Sequence, residues 1–266
     1  VGSVDGSADK AVEVVNTHAA SPFLLVCDHA SNRFPERYGN LGLGEAERIS
    51  HAAWDPGALA VSLALSGLLD ATLVHSTISR LIIDCNRALD APDLICTQSE
   101  TVQIPANANL DDTERSFRIA AYYQPFHDAV AAVVGRRKAQ GRETILVCLH
   151  SFTPVYFGVS RPWPIGLIHG HDARFAAAVA DALKARMSDL ELGWNQPYSA
   201  ADGVTLTLER HGDANGLASV MIELRNDELR TPAAVSAWAE RLASALIAAR
   251  ESVDAREPAG LATREG

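Results

Sequence analysis

The amino-acid sequence predicts a single α/β layered domain. Three observations carry that expectation. Short continuous apolar runs alternate with stretches of helical apolar spacing, several of those runs stop abruptly at polar clusters, and no repeat, linker or low-complexity segment interrupts residues 21–250. The 266 residues are 47% hydrophobic and 21% charged, ordinary for a globular chain with a sizeable core.

Residues 1–20 are rich in Ser, Asp, Gly and Ala and are expected to form a poorly ordered tail. They lack the basic-then-apolar order of a signal peptide, and with no initiator Met the chain is expected to be processed, truncated or tagged. Residues 23–27 are a short apolar run ending at a polar cluster, the pattern of a buried strand. From 44 to 69 the spacing turns helical but breaks at Asp55-Pro56-Gly57; two helices are expected, with Pro56 opening the second. Residues 71–76 and 81–84 are strand-like. The irregular stretch 88–110 carries Pro92 and Pro105, and a loop of this length in a compact domain usually serves function or moves.

Residues 111–141 read as one long helix, kinked at Pro125. Acidic residues fill its first turn and Arg136, Arg137 and Lys138 its last, matching the helix dipole. It feeds an apolar strand, 144–149, and a Pro-rich segment, 153–164, leads to a strand at 165–168 and a helix at 173–190. Residues 204–208 and 219–224 are strand-like with turn residues between them; 231–250 closes the domain as an amphipathic helix, and 251–266 forms a second tail.

Charge and composition exclude several chemistries. With 23 basic against 33 acidic residues the formal charge is -10, which argues against nucleic acid as a partner because phosphate contacts need a basic surface. Lys10, Lys138 and Lys184 are the only lysines, and none lies in a Gly-rich strand-to-helix turn or an apolar strand. Schiff-base and P-loop chemistry therefore lack a candidate amine. The four cysteines have no CxxC spacing and three sit in apolar runs, so reduced, packed thiols and a cytoplasmic location are expected. No stretch has the apolar length to span a bilayer, so no membrane partner is expected, and nothing in the sequence sets the oligomeric state.

The polar clusters gather where strands end, which is where open α/β sheets build sites. The first strand runs into Asp28-His29-Ala30-Ser31-Asn32-Arg33, the 81–84 run into Asn86-Arg87, and the 144–149 run into His150-Ser151; Glu223 lies within the 219–224 run. A single His after a strand is more often a turn residue, but two at the ends of two apolar strands weaken that reading, since neutral imidazole is a common metal ligand. Glu223, between Ile222 and Leu224, is equally compatible with a solvent-facing strand position, and Asn86-Arg87 with a surface turn. His127, in the long helical pattern, reads as structural. If these groups converge, a divalent metal held by His and carboxylate can polarise an amide carbonyl and acidify water. Glu can then carry the proton to the leaving amine, and Arg can clamp a substrate carboxylate. Together they describe metal-assisted hydrolysis of a small carboxylated amide.

Six blocks reinforce this: His29-Ala30-Ser31-Asn32-Arg33-Phe34-Pro35, Trp54-Asp55-Pro56-Gly57-Ala58, Ser79-Arg80-Leu81-Ile82-Ile83-Asp84-Cys85-Asn86-Arg87, Tyr123-Gln124-Pro125-Phe126-His127, Leu149-His150-Ser151 and Ile222-Glu223-Leu224-Arg225-Asn226-Asp227. In that order they resemble the N-formylglutamate amidohydrolase (N-formylglutamate deformylase) family, itself similar to zinc carboxypeptidases and aspartoacylase-like hydrolases. The resemblance implies an N-formylglutamate amidohydrolase-like domain over 21–250, with a mixed β-sheet sandwiched between helices of the phosphorylase/hydrolase-like, zinc-peptidase-like kind. It implies His29 and His150 as metal ligands, Glu223 as general acid/base and Asn86 and Arg87 as the substrate-carboxylate contact. Carboxypeptidases carry a Glu three residues after the first His, where this chain has Asn32; Asp55 is the preferred third ligand instead. Arg225 and the pair Arg210-His211 are further candidates for binding substrate or stabilising an oxyanion.

The expected activity is hydrolysis of N-formyl-L-glutamate, or a related N-acyl amino acid, to formate and the amino acid, with Zn as cofactor and Co as alternative. A carboxypeptidase or amidase acting on peptide or cell-wall fragments is the enzymatic rival, favoured if 88–110 leaves an open groove. A metal- or ligand-binding protein without turnover is the rival of another class.

Overall fold

The computed structural model describes residues 10–199 and 202–256. In chain order its regular elements are β1 (Val12–Val15), β2 (Phe23–Cys27), α1 (Glu45–Arg48), α2 (Ala58–Leu69), β3 (Thr72–Ser76), the hairpin β4 (Gln98–Ser99) and β5 (Val102–Gln103), α3 (Asp112–Arg118), α4 (Gln124–Ala139), β6 (Ile145–Phe152), the hairpin β7 (Val155–Tyr156) and β8 (Val159–Ser160), β9 (Ile165–Ile168), α5 (Arg174–Arg186), β10 (Leu192–Trp194), β11 (Ala218–Arg225) and α6 (Pro232–Arg256).

The seven larger strands form one mixed sheet in the order β1-β3-β2-β6-β11-β9-β10. β3, β2, β6 and β11 run parallel, so their carboxyl ends share one edge; β1 and β9 pair antiparallel to their neighbours β3 and β11. Alternation along the strands divides the core. Leu25 and Cys27 of β2, Val147 and Leu149 of β6, and Ile222 and Leu224 of β11 pack with α2, α5 and α6. Leu24, Val26, Leu146, Cys148 and Met221 point the other way, toward Phe126, Val130 and Val133 of α4. The sheet is thus covered by helices on both faces, and near-continuous apolar strands are what such burial requires. The same parity puts His150 and Glu223, register partners on adjacent parallel strands, on one face.

A separate apolar cluster, including Leu81, Ile83, Ile95, Ile104 and Tyr122, lies under the long irregular segment. Arg118 is 2% exposed and fastens it, donating to Ile82 O and Asn107 Oδ1, both at 2.9 Å, while Asn107 donates to Leu81 O and Cys96 O. Because these side chains bond its backbone, residues 81–84 form no strand, contrary to the sequence pattern. Residues 204–208 are not a strand either: Asn86 Oδ1 accepts from Thr207 N at 3.0 Å and the chain turns helically.

Other elements shift for local reasons. The first tail contains β1, paired antiparallel with β3, and the second begins inside α6; residues 1–9 and 257–266 lie outside the described residues. α2 starts at Ala58 because Gly57 is left-handed (φ 87°), and a Cβ there would stand 2.6 Å from that of Leu229. The long helix is three pieces, α3 and α4 joined by a wide turn at Ile119–Tyr123, with Pro125 in the first turn of α4. All four cysteines are free thiols, and among the described residues no helix is long and apolar enough to cross a membrane.

Candidate active site

The shared carboxyl edge brings His29, Asp55 and His150 together, one ligand-type atom from each within 4.8 Å of the others. They are 5%, 1% and 3% exposed. The Asp-Pro-Gly break places Asp55: its backbone N–H donates to His29 O at 2.9 Å, and the hydroxyl of Ser151, next to His150, donates to Pro56 O at 2.8 Å. Both imidazoles turn Nδ1 toward Asp55 Oδ2, at 3.5 Å for His29 and 3.0 Å for His150. Their outer nitrogens face other carboxylates: His29 Nε2 lies 2.7 Å from Asp84 Oδ1 and His150 Nε2 3.5 Å from Asp28 Oδ2. Thr207 Oγ1 donates to that same Asp28 oxygen at 3.0 Å.

Asp84, hydrogen-bonded behind His29, orients that ring and raises its basicity, the usual outer support of metal-binding imidazoles, while Asp28 faces His150 Nε2 as a charge only. Burial opposes charge on both rings, but Asp84 and Asp55 outweigh it at His29, and Asp28, Asp55 and Glu223 at His150, so both are pushed above the ordinary imidazole value. Burial likewise works against Asp55, yet Arg80, His29 and His150 hold its carboxyl well below the usual range. The cluster is built to hold positive charge. Glu223 behaves oppositely: burial, with help from Asp55, pushes its carboxyl up to about 7 against His150 and His29. Its Oε2 and His150 Nε2 are buried without a hydrogen-bond partner, although most buried polar atoms have one. Two nitrogens and a carboxylate with unsatisfied neighbours fit a divalent metal that keeps an open position.

These groups line a cavity of about 360 Å³ together with Arg80, Arg87, Asp93 and Tyr198. Arg80, not singled out from the sequence, donates from Nη1 to Asp55 Oδ1 at 3.0 Å and from Nη2 to His51 O. Arg87 also faces the cavity, its Nε on Asp93 Oδ2 at 2.8 Å. Asn86 lines it too, but its amide is engaged with Val204 O and Thr207 N, so it shapes the wall.

Four sequence candidates are placed elsewhere. Arg225 donates to Pro162 O at 2.7 Å, to Asp227 Oδ1 at 2.7 Å and to Glu228 Oε1 at 3.2 Å, which commits its guanidinium to fastening the 161–164 segment. His211 is buried against His127, Nε2 to Nδ1 at 2.9 Å, away from the cavity lining; its neighbour Arg210 is exposed and also absent from that lining. Asn32 donates to Arg48 O at 3.1 Å and is no rival to Asp55. Asp28 and Asp84 have no role assigned by the sequence pattern; the signal for them is their place one residue before His29 and two before Asn86, at the ends of apolar runs.

The N-formylglutamate amidohydrolase family model matches residues 21–229. The chain belongs to the N-formylglutamate amidohydrolase family. As a member it is a hydrolase acting on amide bonds. A crystal structure of a gene product from Agrobacterium tumefaciens is 44% identical, with 92% of this chain and 96% of that one covered and a TM-score of 0.90. The N-formylglutamate amidohydrolase of Ralstonia eutropha JMP134 is 20% identical, with 92% and 99% covered and a TM-score of 0.69, a likeness of fold. No curated protein is similar enough in sequence to match the chain.

Proposed function

We propose that the protein is a metal-dependent amidohydrolase that cleaves the formyl C–N bond of N-formyl-L-glutamate, or of a close N-acyl amino acid. The observation carrying this reading is the buried His29-Asp55-His150 cluster with the unpartnered Glu223 carboxylate on the neighbouring strand. His29, Asp55 and His150 would hold the cation, zinc by the chemistry of these donors, with cobalt as a substitute. When bound, such an ion polarises the amide carbonyl and acidifies water.

The chain's own residues supply the rest. Glu223 takes a proton from the attacking water and delivers it to the amide nitrogen as the C–N bond breaks. The water oxygen stays with the formyl carbon, so formate and the free amino acid leave. Arg80, held against Asp55, steadies negative charge developing on the carbonyl oxygen. Arg87 offers a planar guanidinium to the substrate carboxylate, with Asn86 as a positioning residue that fixes the adjoining wall. Arg225 and His211 have no part in binding.

Formate release from N-formylglutamate, measured with zinc or cobalt and again after chelation, tests the reading. It expects turnover that chelation abolishes and metal restores. Metal-independent turnover, or none with any N-acyl amino acid, counts against it.

A further inference from the structure

Two hairpins meet at the wall of the cavity. β4–β5 contributes Gln98, Ser99, Glu100 and Val102 to its lining, and β7–β8 contributes Tyr156. Their tips are joined by one hydrogen bond, Phe157 N–H donating to Glu100 Oε1 at 2.9 Å. Both partners are left-handed without being glycine, Glu100 at φ 51° and Phe157 at φ 46°. Such a conformation costs a side-chain-bearing residue on the order of 1 kcal/mol or more and persists where the surroundings impose it. Phe157 is also 61% exposed at a turn position where Asn would be the easy choice. Neither tip is optimised as an isolated turn; each is shaped to reach the other.

The root of the second hairpin is firmly held. Arg161, 8% exposed, lies with its guanidinium carbon 4.3 Å from the Tyr156 ring centroid and 4.9 Å from that of Tyr198, and donates to Tyr198 Oη at 3.3 Å. Its backbone is tied to Pro154 O, and Arg225 anchors the carbonyls of Arg161 and Pro162 to the end of β11. The root is thus held by several contacts, and the tips by the Glu100–Phe157 hydrogen bond.

We infer that Glu100 is a specificity-determining residue. By clasping the β7–β8 hairpin it limits the site to an amino acid whose own carboxylate is free, and it excludes substrates extended there as a peptide. This rests on the cavity being the N-acyl amino acid site. A peptide extension would have to leave through the clasped mouth, whereas a single acyl amino acid fits inside it.

The test compares wild type, Glu100→Ala and Glu100→Gln, the last keeping a carbonyl oxygen to accept from Phe157. For the N-formyl amino acid that wild type cleaves best and for the same compound extended by one residue, kcat/KM is measured. The alanine variant is expected to raise the extended-to-free ratio by roughly tenfold, the scale of one lost hydrogen bond, and the glutamine variant to stay near wild type. An unchanged ratio in Glu100→Ala, or a wild type that already cleaves both equally, overturns the inference. Cys96, which lines the cavity behind the clasp while the other three cysteines are buried, gives a readout independent of turnover. Glu100→Ala should speed its modification by a bulky maleimide much more than by a small alkylating reagent; equal acceleration or none overturns the clasp. If wild type hydrolyses no N-acyl amino acid, the substrate reading fails by itself, and Cys96 labelling still decides whether Glu100 closes the mouth.

Discussion

The molecule contains two buried histidine pairs that look alike in composition and differ in everything that matters for chemistry. His29 and His150 lie with ring centroids 5.0 Å apart, His127 and His211 with centroids 5.2 Å apart, and all four are at most 5% exposed. The first pair is bracketed by Asp55, Asp84 and Asp28, which overcome burial and favour positive charge. In the second, burial is reinforced by Arg210, and the two rings fall to about 3 for His127 and about 4 for His211. His127 Nδ1 and His211 Nε2 share one hydrogen bond, one donating and one accepting, which suits two neutral rings. Burial and residue type therefore do not decide which charge a histidine pair favours; the carboxylates around its rings do.

The comparison is broken most severely at Glu223. Glu223→Gln keeps the shape of the wall but cannot relay a proton, so kcat should fall on the order of 10³-fold with metal content unchanged. Activity and metal measured on the same sample check this; loss of both would make Glu223 part of the metal's support. A smaller effect is expected behind the ligand. Asp84→Asn weakens the hold on His29 Nε2 and should lower metal affinity by roughly 10–100-fold, read by competition with a chelating dye.

The second pair predicts a pH effect on stability. The unfolded chain protonates His127 and His211 as pH falls through about 6.5, whereas the folded chain resists until about 3 for His127 and about 4 for His211. Their contribution is fully present above pH 6.5 and is lost as pH falls toward 4. Urea melts from pH 7 to pH 4 should show declining stability, with a shallower decline in His211→Asn; equal slopes would remove this pair from the acid response.

Much of this was legible in the sequence where periodicity and chemistry coincide. Uninterrupted apolar runs mark the parallel strands β2, β6 and β11, and polar residues at or near the ends of those runs mark His29, His150 and Glu223. What failed had a common cause. Residues 81–84 and 204–208 carry strand-like patterns, yet their backbone groups are taken by Asn107, Arg118 and Asn86, contacts between segments far apart in sequence. Arg225 follows the same rule: its motif position suggests a ligand contact, and only the fold reveals that the distant carbonyls of Arg161 and Pro162 occupy it.

Metal stoichiometry of wild type, His150→Ala and His211→Ala, by elemental analysis after purification with zinc, tests the central claim most directly. The account predicts about one zinc per chain in wild type and in His211→Ala, and loss of that zinc in His150→Ala. Zinc retained by His150→Ala, or a fully active wild type that binds none, would contradict it.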